Sequence, residues 1–295
     1  MVPRIVTSFS CALLAAGIAV PERFAEGVIT TAAPEFAITF TPDGRTVYFN
    51  RASADRRTLS IMVSRLDGAG WQQPVLAPFS GTHRDVDPFV TAGGERLYFS
   101  SDRPTSPSDN EPDFNTWYLD ARDGEWGAPR TVGEPLNSRG TDVFVSATRG
   151  GTLYFSSNRD GTTRTYRATA SGEGWTVTRP SFDINDAEGA GNPLIAPDES
   201  FLIFTSDRPG GAGGADLWVT ARENDRWGSS RRLGSGVNSP FADFAPALDP
   251  SGRFLFFTSE RPGVVGPVSA GSRPPGDIYR IALSDVGLAG RDLRP

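Results

Sequence analysis

Residue types on which many enzymes and metal sites depend are nearly absent from this sequence. Its 295 residues include one cysteine (Cys11) and one histidine (His83), and the chain contains no lysine. A lone cysteine excludes an intrachain disulfide and a zinc site built from several cysteines. A lone histidine excludes metal sites with several histidine ligands and leaves a Ser-His-Asp triad with one candidate base. We therefore predict no resident cofactor and no metal among the site residues.

A basic surface is missing as well. The net charge is −6, and no run of positive residues occurs. A protein that binds nucleic acid normally carries a basic patch or stripe, so we do not expect nucleic acid as a partner. Hydrophobic residues make up 38% of the chain, which is enough for a packed core. The 33 glycines and 24 prolines favour many short strands joined by tight turns over long helices.

The first twenty residues have the pattern of a secretory signal peptide. A weakly positive start at residues 1–4 precedes a mostly apolar stretch at residues 5–20, with small residues at 17–19 where cleavage would occur. The apolar stretch is short and contains Thr7, Ser8 and Ser10, so we do not predict a membrane span. The pattern predicts a protein that is periplasmic or secreted. The alternative is an N-terminus without a targeting role.

The remainder of the chain is built from one unit that occurs five times. Segments 40–49 (FTPDGRTVYF) and 248–257 (LDPSGRFLFF) are versions of one another, and three further copies end at Arg103, Arg159 and Arg208. The copies align on the aromatic residues Phe49, Phe99, Phe155, Phe204 and Phe257, which are spaced by 50, 56, 49 and 53 residues. A fixed period of this length indicates a repeat architecture.

Each unit predicts four strands. An apolar run precedes a Pro-Asp-Gly type of turn, and an aromatic-rich strand follows the turn. After a polar loop comes a third strand, and a fourth begins at a tryptophan in four of the units (Trp71, Trp126, Trp175 and Trp227). Four strands in each of five units predict an all-β fold, a five-bladed β-propeller of four-stranded antiparallel blades.

The fifth unit lacks its own fourth strand. We expect residues 24–30 to supply it and to close the ring, because closure removes the open sheet edges that promote aggregation. The predicted domain therefore spans residues 21–284, with blades that begin near residues 35, 85, 142, 190 and 243, and residues 285–295 form a tail.

The motifs of the repeat resemble those of a known family. The pattern P-D-G, then Y-F-S-S-D-R, then D-L-W or D-I-Y, is similar to the PD40 repeats, which are the WD40-like propeller repeats of the TolB-like family. The resemblance covers residues 24–283, and it implies the propeller fold. Ligands of propellers usually bind on the face where the innermost strands begin, so we expect a partner or ligand on this channel face.

Two aligned columns of residues are the candidate binding site. The acidic column holds Glu35, Asp85, Asp142, Ala190 and Asp243 at the start of each innermost strand, and Asp87 and Asn192 follow two residues after its members. One hypothesis is a ring of carboxylates at the channel mouth that holds a cation, such as calcium, or a basic segment of a partner. The alternative is that each acid caps its own loop by accepting backbone N–H bonds.

The arginine column stands four residues after the aligned aromatics. It holds Arg103, Arg159, Arg208 and Arg261, and Arg51 stands two residues earlier in the first unit. These guanidinium groups could bind a carboxylate or phosphate of a ligand. The alternative is that they pair within the blade with acids such as Asp216 and Asp277.

Residues 109–115 also show acidic residues at alternate positions, as a calcium loop does. Phe114 stands where such a loop needs glycine, and no glutamate occupies the twelfth position, so we do not predict calcium there.

Three functions are compatible with these features. The favoured hypothesis is an exported scaffold of the cell envelope, expected to be a monomer, that binds a protein, a small molecule or a glycan at the channel face. It is favoured because no nucleophile motif is present. The alternative is a hydrolase that acts on glycans with a pair of carboxylates at the channel mouth. A purely structural propeller is the third hypothesis. Enzymatic activity therefore stays open, but it is not the favoured hypothesis.

Overall fold

The computed structural model describes residues 19–109, 113–172, 174–183, 185, 189–234, 236–262 and 275–288. Within these residues the chain forms five antiparallel β-sheets and one short 3-10 helix at Leu283–Val286. No helix in this part of the chain is long and apolar enough to cross a membrane. Residues 1–18 of the predicted signal peptide lie outside the described part of the chain.

The strands are numbered along the chain, and the first, β1 (Glu22–Arg23), belongs to the last blade. Blade 1 contains β2 (Glu35–Phe40), β3 (Thr46–Ala52), β4 (Leu59–Asp67), β5 (Gly70–Trp71) and β6 (Val75–Leu76). Blade 2 contains β7 (Asp85–Val90), β8 (Arg96–Ser101), β9 (Asn115–Arg122), β10 (Glu125–Trp126) and β11 (Arg130–Thr131). Blade 3 contains β12 (Asp142–Ala147), β13 (Leu153–Ser157), β14 (Arg164–Ser171) and β15 (Gly174–Thr178).

Blade 4 contains β16 (Gly191–Ile195), β17 (Phe201–Ser206), β18 (Asp216–Glu223), β19 (Arg226–Trp227) and β20 (Arg231–Arg232). Blade 5 contains β21 (Asp243–Leu248), β22 (Phe254–Ser259) and β23 (Asp277–Ala282), completed by β1. In blades 1, 2 and 4 the fourth strand is interrupted, so two short pieces pair with the third strand one after the other.

The five innermost strands contact one another in a closed ring. β2 contacts β7 and β21, β12 contacts β7 and β16, and β16 contacts β21. The ring encloses a central channel, and the prediction of a five-bladed propeller is confirmed. Below, "mouth" means the end of the channel where the innermost strands begin, and "turn end" means the end where they run into the Pro-Asp-Gly type turns.

The N-terminal segment closes the ring, but the paired residues differ from those expected. β1 pairs antiparallel with β23, and the exposed Glu22 forms an ion pair with Arg280 at 2.9 Å. Phe24 N–H donates to the Ile278 carbonyl at 2.8 Å, and the chain then leaves the sheet. Most of the predicted strand at residues 24–30 is a turn, because Phe24 and Ile29 are drawn into the apolar cluster between blades 5 and 1. The strand pairing therefore stands two residues earlier than predicted.

Apolar contacts between blades form the core. Each fourth-strand tryptophan packs on a cluster that includes an aromatic residue of the preceding blade. The Trp126 indole N–H also donates to the Tyr48 hydroxyl of blade 1 at 2.8 Å, and Trp227 meets Tyr154 of blade 3 edge to face. The bond to Tyr48 lets the half-buried Trp126 ring keep a hydrogen-bond partner for its N–H.

Every innermost strand contains an irregularity that the sequence analysis did not predict. The register against the second strand shifts one residue after the position of the acidic column, and the residue two places after that position adopts a left-handed φ of 45° to 55°. The residues at this bulge position are Ala37, Asp87, Phe144, Asn192 and Ala245. Ala37, Phe144 and Ala245 come from blades 1, 3 and 5 yet share one apolar cluster, so the bulge turns this position toward the channel axis.

The closing segment predicts a large effect for one side chain. Phe24 packs edge to face on Trp71 of blade 1 and Phe256 of blade 5, with ring centroids 5.5 and 5.0 Å apart. Phe24→Ala should lower the free energy of unfolding by about 3–5 kcal/mol, because it opens a cavity between the two blades. Urea unfolding of the full chain measures this. The exposed Val75→Ala is the control and should change stability little; equal effects of the two variants would contradict the assignment.

Candidate functional site

The acidic column lies at the mouth, where its members are buried. Glu35, Asp85, Asp142 and Asp243 are each the first residue of an innermost strand and are fully shielded from solvent. Ala190 occupies the same place in blade 4, immediately before β16. The column is thus present as aligned, but the carboxylates do not face the open channel as an exposed ring.

Each of these carboxylates forms an ion pair with an arginine of its own blade. The distances are 2.6 Å for Arg103 with Asp85, 2.8 Å for Arg159 with Asp142, and 3.0 Å for Arg261 with Asp243. In blade 1, Arg51 stands directly opposite Glu35 in the sheet and reaches it at 2.8 Å. Glutamate is one methylene longer than aspartate, which suits an arginine displaced by two residues.

The arginines pair within the blade, but with different acids from those predicted. Among the described residues, Asp216 and Asp277, the expected partners, do not form ion pairs with the arginine column. Serine hydroxyls at the end of the second strand accept the Nε–H of Arg103, Arg159 and Arg261 at 2.7–2.9 Å. This bond turns each guanidinium back toward the innermost strand, and the fork then reaches the acid opposite.

Aromatic rings support the guanidinium groups. Arg103 lies over Phe99 at 4.8 Å, Arg159 lies over Tyr166 at 4.8 Å, and Arg261 lies over Tyr279 at 5.0 Å. The arginines are 12–17% exposed along their side chains, so the cation–π contact and the ion pair both act with little screening by water.

The carboxylates also fasten the loop that leads into each blade. Hydroxyl groups of Thr31, Ser80, Ser138 and Ser239 donate to Glu35, Asp85, Asp142 and Asp243 at 2.6–2.8 Å. Burial raises the pKa of Glu35, and the bonds from Thr31 and Arg51 partly offset this. These contacts support the loop-capping alternative. A direct role of either column in ligand binding stays a prediction.

Asp87 is the ionisable side chain that faces the channel at the bulge position. It is half-buried, and no described residue donates a hydrogen bond to its carboxylate, while its backbone N–H donates to Asn50 Oδ1 at 2.8 Å. A cavity of about 90 Å³ lies beside it, lined mainly by apolar residues such as Phe89 and Phe144. Loss of hydration in this wall raises the pKa of Asp87 to about 7. Asn192, its counterpart in blade 4, is held by a bond from its backbone N–H to Ser156 Oγ at 2.8 Å.

Arg208 differs from the other arginines of its column. Its guanidinium lies over Trp218 at 4.9 Å, as expected from the repeat, but Ala190 stands where the other blades place a carboxylate. The two columns are therefore brought together in four blades, and in blade 4 the arginine remains without the acid.

The calcium-like spacing does not form an ion-binding cluster in the described part of the chain. Asp109 accepts bonds from Thr105, and Asp113 accepts one from Asn115 at 2.8 Å. No group of three or more His, Cys, Asp or Glu residues that could hold a metal occurs among the described residues. Glu111 lies outside them.

Sequence reasoning missed two parts of this site. The serine or threonine four residues before the acid is visible in the sequence at Thr31, Ser138 and Ser239, and aligning the repeats further upstream would have found it. The bulge leaves no such signal, because its residues are alanine, aspartate, phenylalanine and asparagine, which share no chemistry.

No family profile and no curated protein matches the sequence. The fold is similar to solved structures at low identity. TolB from Acinetobacter baumannii is 12% identical, with a TM-score of 0.50 over 85% of this chain. The match covers 54% of that TolB, so the chain spans about half of its length. The GH62 α-L-arabinofuranosidase domain of Coprinopsis cinerea is 15% identical with a TM-score of 0.55, covering 90% of this chain and 96% of that one. A GH43 endo-arabinanase from Bacillus licheniformis is 12% identical with a TM-score of 0.50, covering 86% and 96%. These similarities establish the propeller fold.

The buried ion pairs predict that removing one carboxylate charge destabilises the fold. Asp142→Asn leaves Arg159 partly buried without its counter-ion, which should cost about 3–5 kcal/mol of unfolding free energy. Glu22→Gln breaks the Arg280 pair, whose acid is 70% exposed, and should cost at most about 1 kcal/mol. Chemical unfolding of both variants tests this. A folded triple variant of Asp85, Asp142 and Asp243 to asparagine, with unchanged stability, would contradict the structural role.

The pKa of Asp87 predicts how stability depends on pH. The folded chain keeps this proton up to about pH 7, whereas an exposed aspartate releases it near 3.8. The folded state binds more protons in this window, so the free energy of unfolding falls as the pH rises through it. Asp87→Asn removes this loss and should stabilise the fold at about pH 8, by no more than about 4 kcal/mol since one pKa unit is about 1.4 kcal/mol.

Asp277 provides the comparison for this measurement. Burial raises its pKa to about 7 as well, so it titrates in the same window. Asp87→Asn should therefore flatten part of the slope of stability against pH, and adding Asp277→Asn should flatten it further. An unchanged slope in Asp87→Asn would show that Asp87 is hydrated and ionised as usual.

Proposed function

We propose that this chain is an exported binding module whose central channel receives a basic side chain of a partner protein. The observation that carries the proposal is Asp87, a carboxylate without a hydrogen-bond donor among the described residues, set in an apolar wall. A charge in weakly screening surroundings attracts a cation more strongly than it does in water. The apolar wall suits the aliphatic stem of lysine or arginine, and the carboxylate suits its charged end.

The carboxylates of the acidic column support this assignment because each already has a cationic partner within the chain. Glu35, Asp85, Asp142 and Asp243 are already neutralised by arginines of their own blades. Asp87 is the bulge-position acid whose charge a partner would balance. The net charge of −6 further favours encounters with a basic partner.

Hydrolysis of glycans is the second candidate, and two of the similar structures are named as enzymes acting on arabinose-containing substrates. Glycoside hydrolases normally use two carboxylates placed on either side of the scissile bond. The bulge positions around the channel carry one carboxylate, with alanine, phenylalanine and asparagine at the other four. This composition favours binding over hydrolysis.

The proposed location rests on the N-terminal pattern alone. Residues 1–20 would direct the chain out of the cytoplasm, and the propeller would act in the periplasm or outside the cell as a monomer. Because the closing strand begins at Glu22, cleavage near residue 19 would leave the ring complete.

Isothermal titration of the full chain with short peptides tests the channel site. The peptides carry a central lysine, arginine or norleucine between alanines, with both ends blocked. The lysine or arginine peptide should bind about tenfold or more tightly than norleucine, which matches the stem without the charge. Affinity should rise between about pH 6 and about pH 8 as Asp87 ionises.

Asp87→Asn should abolish the preference for the basic peptides. Asp225→Asn is the matched control, since it removes one negative charge from a side chain that is 95% exposed in the outer hairpin of blade 4. Equal binding of basic and norleucine peptides, or an Asp87→Asn variant that keeps the preference, would overturn the proposal. Release of sugar from arabinan that depends on Asp87 would favour the hydrolase instead.

A further inference from the structure

Blade 4 breaks the repeat at one pair of positions, and the break leaves a charge without its partner. In the other four blades an arginine and a buried acid meet at 2.6–3.0 Å. In blade 4 the arginine, Arg208, is kept, and the acid is replaced by Ala190, which is fully buried. We propose that Arg208 is a binding site for a carboxylate group of a ligand at the mouth of blade 4.

Arg208 keeps the aromatic contact of its counterparts. Its guanidinium lies 4.9 Å from the Trp218 ring, compared with 5.4, 4.8 and 5.0 Å for the equivalent contacts in blades 2, 3 and 5. Its backbone N–H donates to Ser206 Oγ at 3.4 Å, as the other arginines donate to the equivalent serines at 3.2–3.3 Å, but its Nε–H does not share their bond to the serine hydroxyl. The contact with Trp218 therefore does not depend on a paired acid, and the guanidinium keeps its Nε–H for a ligand as well.

The hydrogen-bonding groups of Arg208 are unused within the described residues. No described carboxylate, carbonyl or hydroxyl accepts a bond from its guanidinium, whereas Arg103, Arg159 and Arg261 each make several. The residue is half-buried, with one face covered by the indole of Trp218. A planar cation covered on one face and unpaired at its edge presents its fork of donors to an oxyanion.

The entry to the innermost strand of blade 4 carries small residues. Blade 4 enters this strand through Gly189, Ala190 and Gly191, where the other blades carry larger residues such as Thr141 and Val143. A Cβ on Gly191 would stand in ordinary contact with Thr163 at 3.5 Å, and one on Gly189 would come within 3.2 Å of the Asp207 carboxylate. The acid that pairs with the arginine in the other blades and the larger side chains that flank it are therefore missing from the same segment.

Carboxylate is the ligand chemistry that this site fits best. Three equivalent arginines that lie over a third-strand aromatic ring, and Arg51 in blade 1, already bind a carboxylate in this protein. A ligand carboxylate at blade 4 would complete the fifth copy of that interaction. Asp207, the exposed neighbour of Arg208, disfavours ligands of high negative charge, so a single carboxylate is preferred over phosphate. The site is separate from the channel site at Asp87.

The test is titration of the full chain with two carboxylate probes and one neutral probe. The probes are succinate, blocked Gly-Glu-Gly peptide and blocked Gly-Gln-Gly peptide, each followed by isothermal titration. The wild type should bind at least one carboxylate probe about tenfold or more tightly than the glutamine peptide. Comparable binding of succinate and the glutamate peptide would assign the site to free carboxylates, and binding of the peptide alone would assign it to an acidic segment.

Two variants disrupt the site in different ways. Arg208→Gln takes away the cation, and Ala190→Asp supplies the carboxylate that the other blades contain. Each should weaken carboxylate binding about tenfold or more. Asp225→Asn is the control, because it changes a side chain that is 95% exposed in the outer hairpin of blade 4 and should leave carboxylate binding unchanged. If Ala190→Asp does not fold, Arg208→Gln decides the outcome by itself.

The proposal would be overturned by either of two results. The first is a wild type that does not distinguish glutamate from glutamine, or an Arg208→Gln variant that binds as the wild type does. The second is an intramolecular partner for Arg208, tested with Asp186→Asn combined with Glu188→Gln. If this double variant lowers Tm as much as Arg208→Gln, and the combination adds nothing, Arg208 serves the chain's own acids.

Discussion

The buried pair of an arginine and a carboxylate is the interaction on which the mouth of this propeller depends. In blade 3, Arg159 bonds Asp142, the hydroxyl of Ser157 and two carbonyls of the preceding loop, while its flat face rests on Tyr166. One side chain thereby joins the loop, the first strand and the second strand. Because two desolvated charges are far costlier apart than together, the pair enforces this arrangement even if its net contribution to stability is small.

The second constraint is the bulge, which decides what the channel contains. A left-handed backbone at a residue other than glycine costs on the order of 1–3 kcal/mol and persists only where its surroundings hold it. Side chains of the preceding blade do so here: Thr258, Asn50, Ser100 and Ser156 accept the bulge N–H groups of blades 1 to 4 at 2.8–3.2 Å. The bulges thus link neighbouring blades and also aim one residue of each at the axis.

Function in such a ring is expected where one blade departs from the others. The turn of blade 4 shows how a departure is supported. Glu199, with a φ of 60°, stands where the turns of the other four blades carry a glycine of positive φ (Gly44, Gly94, Gly151 and Gly252). Its carboxylate accepts bonds from Tyr154 and Arg167 of blade 3 and from Arg222 of blade 4, which offset the strained backbone. The charged groups of Asp87 and Arg208 also differ from their counterparts in the repeat, but no described residue forms a hydrogen bond or an ion pair with them. A ligand of opposite charge could supply that contact, which is why both proposals rest on these two residues.

Much of the architecture was predictable from the repeat. The copies align on Phe49 and its equivalents, and their number and length specify five blades because each unit buries its apolar faces against its neighbours. The two polar columns also followed from the alignment, since residues at equal places in a repeat occupy equal places in the fold. What the alignment could not supply was the partner of each arginine, because Asp85 and Asp216 are both acids near the mouth and the choice depends on where Ser101 turns the guanidinium.

The sequence by itself therefore determined the fold, the number of blades and the positions of the candidate charges, since these depend on local periodicity and repetition. Tertiary structure alone decided which charges are available to a ligand. Asp142 and Asp87 are alike as residues of the sequence, yet Asp142 is buried against Arg159, whereas Asp87 faces the channel and accepts no hydrogen bond from the described residues. That difference comes from a backbone bulge held by a neighbouring blade, an interaction between residues too far apart in sequence for any local pattern to record.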